Sequence, residues 1–130
     1  MVDRRDFMVR GMTGLGAAAM TSSGTGAAQA RTASLNVIYP NHDGARFDIA
    51  YYRATHIPLA MKVMKADKVL LTEGLPTNGA PPPYVMICSF QFASPEALQA
   101  AMAEPGMAEV RANVAVFTDI TPAVMLGRSS

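Results

Sequence analysis

The alternation running from Tyr84 to Phe92 constrains the fold more than any other feature of this chain. Tyr84, Met86, Cys88, Phe90 and Phe92 share one face, and Val85, Ile87, Ser89 and Gln91 share the other, because successive side chains of a strand point to opposite sides. One face is therefore continuously apolar and the other mixed. A strand patterned in this way belongs inside a sheet.

The rest of the chain supplies partners for it. Residues 35–39 are β-rich and stop at Pro40, which reads as a first strand. Asn41-His42-Asp43-Gly44 is turn chemistry. Asp48 is placed to cap a helix running to about Met64, with Pro58 bending or restarting it. Residues 68–73 read as a second strand, and 74–83, with three consecutive prolines, as an exposed connection without structure of its own. Ser94-Pro95 opens a helix over 95–103. Pro105-Gly106 interrupts it, a short helix follows over 107–112, and a last strand is expected over 114–126. Pro122 within that strand implies an edge position or a bulge. The order is βαββαβ, which predicts an α+β, ferredoxin-like domain with a four-stranded antiparallel sheet.

Two helices cover one face of such a sheet, yet these strands carry apolar residues on both. A second copy of the chain is the expected cover, giving a homodimer in which two sheets close a barrel around a cavity.

The first 30 residues read differently. Arg4-Arg5 precedes a soft Gly, Ala and Met run, and the segment ends in Ala28-Gln29-Ala30. That pattern predicts a twin-arginine signal peptide over 1–30, cleaved on export to the periplasm, and a domain over 31–130. No uninterrupted apolar stretch of about 18 to 20 residues occurs, so no membrane association is expected after processing. Of 11 basic and 10 acidic residues, three Arg and two Asp lie in the first 30, leaving eight of each. With no net charge and no basic stripe, the domain is not expected to bind nucleic acid. Cys88 is the only cysteine, so neither an intramolecular disulfide nor a cysteine-based zinc site is available.

Chemistry concentrates between Arg46 and Leu59. Residues four apart share a helix face, so Tyr52 lies over His56 and Tyr51 over Thr55. An imidazole and two phenols on a largely apolar helix are candidates for lining a pocket. His56 is the candidate general acid/base, having an intrinsic pKa near neutrality. Tyr52 is placed to orient it or to donate to a developing oxyanion. Asp119 is the carboxylate expected to pair with His56 and fix its tautomer. Tyr39, Tyr51, Cys88 and Phe90 complete the expected substrate-binding wall, and Arg46 and Arg53 are candidates for a substrate carboxylate. A lone strand cysteine is more often a small core residue than a nucleophile. No Gly-x-Gly-x-x-Gly follows a strand, so an ordinary dinucleotide site is not expected.

Val37-Ile38-Tyr39-Pro40, Phe47-Asp48, Tyr51-Tyr52, Thr55-His56-Ile57-Pro58-Leu59, Pro83-Tyr84 and Thr118-Asp119-Ile120-x-Pro122 together resemble the EthD family. The resemblance covers nearly all of the expected domain. It implies the dimeric α/β-barrel fold, a reductase label, and a connection with ethyl tert-butyl ether degradation beside a cytochrome P450. Most members are cytoplasmic, so the twin-arginine segment departs from the family. In related isomerases of the same superfamily a first-helix histidine lies in the pocket, the place His56 takes here. Two functional readings follow. One is a small enzyme, with no cofactor expected, that moves a proton on a small apolar or aromatic carbonyl compound. The other is a non-catalytic binding or accessory protein holding an apolar ligand or haem, with haem ligated by His56.

Overall fold

A computed structural model describes residues 32–129; the expected export signal lies outside them. Strand β1 is Ala33–Pro40. Helix α1 follows in three continuous parts: α-helical at Ile49–Tyr51, a π turn at Tyr52–His56, and α-helical again at Ile57–Met64. Strand β2 is Lys68–Glu73 and β3 is Tyr84–Phe92. Helices α2 (Pro95–Met102) and α3 (Met107–Phe117) precede strand β4, Ala123–Arg128. The sheet is antiparallel with order β2-β3-β1-β4, which is the ferredoxin-like arrangement.

Local chemistry sets these boundaries. Asp48 is extended, and its side chain accepts a hydrogen bond from the Tyr51 amide at 3.1 Å, satisfying a donor that the first turn leaves free. The π turn sits just before Pro58, which has no N–H and whose ring crowds the carbonyl four residues back. Widening the turn so that the Ile57 amide reaches the Tyr52 carbonyl accommodates that ring without ending the helix. Ser94 caps α2 by accepting from the Ala97 amide at 3.1 Å. The start of α3 packs close to α1: a β-carbon on Gly106 would stand 3.0 Å from the Val63 side chain, so glycine permits the approach.

Register places Leu35 opposite Phe90, Val37 opposite Cys88 and Tyr39 opposite Met86. These residues face the helices, and all but Val37 are buried. The other face carries a polar ladder in which Asn36 Nδ2 donates to Ser34 Oγ and to the Met125 carbonyl, each at 3.1 Å. Gln91 Nε2 donates to Ser89 Oγ at 2.6 Å on the same face.

Two expectations change at the C-terminal end. The run Val114-Ala115-Val116-Phe117 continues α3 instead of starting a strand, and β4 begins only at Ala123, so Pro122 precedes the strand. β-branched residues give that run a strand-like local preference, but tertiary packing of Val110, Val114 and Phe117 overrides it. The connection 74–83 also has structure: Thr77 and Ala80 bond reciprocally at 2.9 Å around Asn78 and Gly79, both with positive φ. This is the two-residue hairpin turn that an Asn-Gly pair favours.

Candidate active site

His56 is the residue around which this site is built. It is 5% exposed, held at the end of the π turn of α1. The Tyr52 ring stacks on it with centroids 5.5 Å apart and 18° between planes, and Phe117 lies against it at 4.6 Å. Its Nδ1 is 2.9 Å from Asn113 Oδ1, and Asn113 Nδ2 donates to Tyr51 Oη at 2.9 Å. The amide oxygen accepts, so Nδ1 carries the proton and Nε2 keeps its lone pair. Burial lowers the His56 pKa, against a smaller opposing effect of the Asn113 hydrogen bond. At neutral pH the ring is therefore uncharged and basic at Nε2.

The cavity beside His56 measures about 580 Å³, within the ~300–1,000 Å³ usual for small-molecule sites. Its floor is the helix-facing side of β1 and β4, through Leu35, Val37 and Val124, and its walls come from α1 and α3. It is thus formed between the sheet and the helices of one chain. The physical reason is that α1 and α3 leave the β4 edge uncovered, and the space above it opens to the surface.

The sequence-predicted residues fall into separate groups. Tyr39, Tyr52, His56, Phe90 and Asp119 border the cavity. Tyr51 reaches the site through Asn113. Cys88 does not line it. The thiol is fully buried among core residues, and burial pushes its pKa up to about 11. The Tyr52 and Tyr39 rings meet edge to face at 5.8 Å, and burial raises the pKa of both phenols far above the ordinary value, so they stay protonated. Tyr52 is thus part of the core, and its ring forms the wall beside His56.

Asp119 does not pair with His56. Its Oδ1 accepts from the Arg46 amide at 2.9 Å and lies 3.7 Å from His42 Nε2. The first of these bonds holds the carboxyl below its ordinary range. Thr118 adds to the same strap: its hydroxyl donates to the Arg46 carbonyl at 2.6 Å and accepts from the Ile120 amide at 3.0 Å. Asp119 therefore ties the start of α1 to the α3–β4 connection. The partner that Asp119 was expected to be is Asn113, which the sequence reading missed. Its signal was the stripe Val110, Asn113, Val114 and Phe117, spaced as one helix face once α3 is allowed to continue.

Among the described residues no group of three or more His, Cys, Asp and Glu is arranged to hold a metal, and no helix is long and apolar enough to cross a membrane. Haem fits the donor set poorly. Among the described residues, His56 is the one imidazole on the cavity, and Arg111 the one cation there for two propionates.

A ferredoxin-like α+β chain with a helix-side cavity and an amide-held imidazole defines the class. The model of the EthD domain matches residues 44–121. An EthD-like protein of Ralstonia eutropha is 35% identical, with a TM-score of 0.68, over 74% of this chain and 89% of that one. This chain belongs to the EthD family. An EthD-family protein of Bacillus halodurans (19% identity, TM-score 0.62, 76% of this chain and 99% of that one) shares the fold. So does a Nitrosomonas europaea protein (18% identity, TM-score 0.53, 78% and 91%). No curated protein sequence matches significantly.

Proposed function

We propose that this EthD-family chain is a small cofactor-free enzyme that transfers a proton on an apolar or aromatic carbonyl compound held beside His56. The observation that carries this reading is the buried His56 ring, fixed at Nδ1 by Asn113 and left basic at Nε2 on the edge of an apolar cavity. In the reaction Nε2 takes a proton from carbon next to the carbonyl, giving an imidazolium and an enolate. Where the substrate carries a β,γ double bond the enolate extends to the γ carbon, and returning the proton there completes an isomerisation with no net oxidation. Burial favours the neutral base, and Asn113 supports the transient imidazolium by accepting from Nδ1. The family's reductase label would instead require a hydride source, for which no dinucleotide fingerprint is available.

The test is hydrogen–deuterium exchange of an aryl ketone such as indanone in deuterium oxide, followed by proton NMR. Exchange that His56→Ala abolishes while ligand binding persists supports the enzyme. Binding without exchange in the unsubstituted protein sinks it and leaves the alternative, a non-catalytic binding protein.

The partner is proposed to be a second copy of the chain. Val124, Met125 and Leu126 on edge strand β4 are 58, 56 and 52% exposed, an apolar edge that an isolated chain leaves in water. Light scattering of the purified protein tests it, and a monomer at micromolar concentration overturns it. Export to the periplasm is proposed from the Arg4-Arg5 and Ala28-Gln29-Ala30 pattern alone. Retention of an Arg4→Lys, Arg5→Lys variant in the cytoplasm, against a periplasmic parent cut near Arg31, is the expected result.

A further inference from the structure

Helix α3 turns a graded surface toward the cavity. At about 100° per residue, Val110, Val114, Met107, Arg111 and Ala115 follow one another around one arc of the helix, and all five line the cavity. Val110 and Met107 are buried, while Arg111 and Ala115 are exposed, so the arc runs from core to solvent. Asn113 lies beyond the buried end of this arc, beside His56. Arg111 lies toward the opposite, outer end, next to Ala115.

Charge accounting singles out Arg111. Arg53, one cation the sequence offered for a substrate carboxylate, is paired with Glu73 at 3.2 Å. Arg46, the other, donates to the Val116 and Ala115 carbonyls at the end of α3, each at 3.2 Å. Among the described residues Asp119 is the one carboxylate bordering the cavity, and it already accepts from the Arg46 amide and lies 3.7 Å from His42 Nε2. Arg111 has neither an ion pair nor a side-chain hydrogen bond among the described residues. The site thus combines apolar walls with one unmatched, planar, fork-shaped cation at its outer rim.

We propose that Arg111 recognises an oxyanion on the ligand, so that the substrate class is an apolar or aromatic organic acid. This rests on the reading of the cavity as the ligand site and sharpens it. A carboxylate accepts two parallel N–H bonds from a guanidinium. Its hydrocarbon body then extends inward along Val110 and Val114 toward Nε2 of His56. A neutral ligand of the same shape fills the same space but leaves Arg111 to water. Arg111 therefore sets which ligand binds and in which direction, and His56 does the chemistry.

The experiment titrates naphthoate and its neutral isostere naphthamide into the full domain at about pH 8, where His56 is neutral and cannot itself attract the anion. Affinity is read by calorimetry, and location by NMR of the His56 ring. The expected result is that both probes shift His56, with naphthoate binding roughly three- to tenfold more tightly. That preference disappears in Arg111→Gln and largely returns in Arg111→Lys. Arg111 is exposed, so both variants keep the parent's melting temperature. If the two probes shift His56 with equal affinity, or Arg111→Gln keeps the preference, Arg111 is only a solvated helix cation and the inference is overturned while the cavity reading stands. If neither probe reaches His56, the cavity reading itself fails and takes the inference with it.

Discussion

Asn113 Oδ1 accepts the Nδ1 proton of His56 across 2.9 Å, and its amide nitrogen passes the connection on to the Tyr51 hydroxyl. One neutral amide on α3 thus fixes the tautomer and orientation of the base on α1, while burial keeps that base neutral. A carboxylate in that place would pull His56 toward the charged form, whereas the amide leaves burial as the dominant influence.

Replacing Asn113 by Asp should therefore raise the His56 pKa, while Asn113→Ala should leave it low but free the ring. Nitrogen-15 NMR of the imidazole checks both. The parent is expected to show protonated Nδ1 and unprotonated Nε2, with a midpoint below 6.5. Asn113→Ala should also lose about 1–3 kcal/mol of stability, since it leaves a buried ring nitrogen without its partner.

Stability should fall as the solution is acidified through the histidine range. The His56 pKa is lowered on folding, so below about pH 6.5 the unfolded chain binds a proton that the native chain resists. The contribution is fully present above the unfolded pKa. It declines as pH drops toward the folded one and then levels off. Urea denaturation between about pH 8 and 5 checks this, and His56→Gln should flatten the slope in that window. Asp119, also lowered in pKa, acts only in the carboxylate range below it.

Phe117 is fully buried and its ring meets those of Tyr39, Phe47, Tyr51, Tyr52 and His56. Phe117→Ala should cost about 3–5 kcal/mol, and Phe117→Leu considerably less. Chemical denaturation gives the magnitude. In the leucine variant, which should stay folded, loss of the single ordered set of His56 NMR signals would show that this ring positions the base.

Cys88 should be inert in the native state. It is wholly buried and its pKa is pushed up to about 11, so almost no thiolate is present or reachable at pH 8. Iodoacetamide labelling followed by mass spectrometry should show reaction only after denaturation. Fast labelling of the folded protein would contradict the buried placement and restore Cys88 as a candidate nucleophile.

Much of this architecture was legible locally. The alternation in Tyr84–Phe92, the β-rich run before Pro40, the Asp48 and Ser94 caps, and the pair Tyr52 and His56 one turn apart all act through neighbours within a few residues. Such neighbours are written in the sequence, and from them came the βαββαβ order and the imidazole on α1. Pro58 also announced a local disturbance, which the fold accommodates as a π turn.

What remained hidden depended on residues far apart in the chain. The Asn113–His56 bond spans 57 positions and Arg46–Asp119 spans 73, and periodicity carries no information about which polar groups meet across such distances. Asp119 was the expected partner of His56, but α3 runs on to Phe117, which turns Asn113 toward His56 and carries Asp119 into the strap with Arg46. The side of the sheet that holds the cavity was settled in the same way. Alternation shows that a strand has two faces, but only the packed positions of α1 and α3 determine which of them is left with space above it.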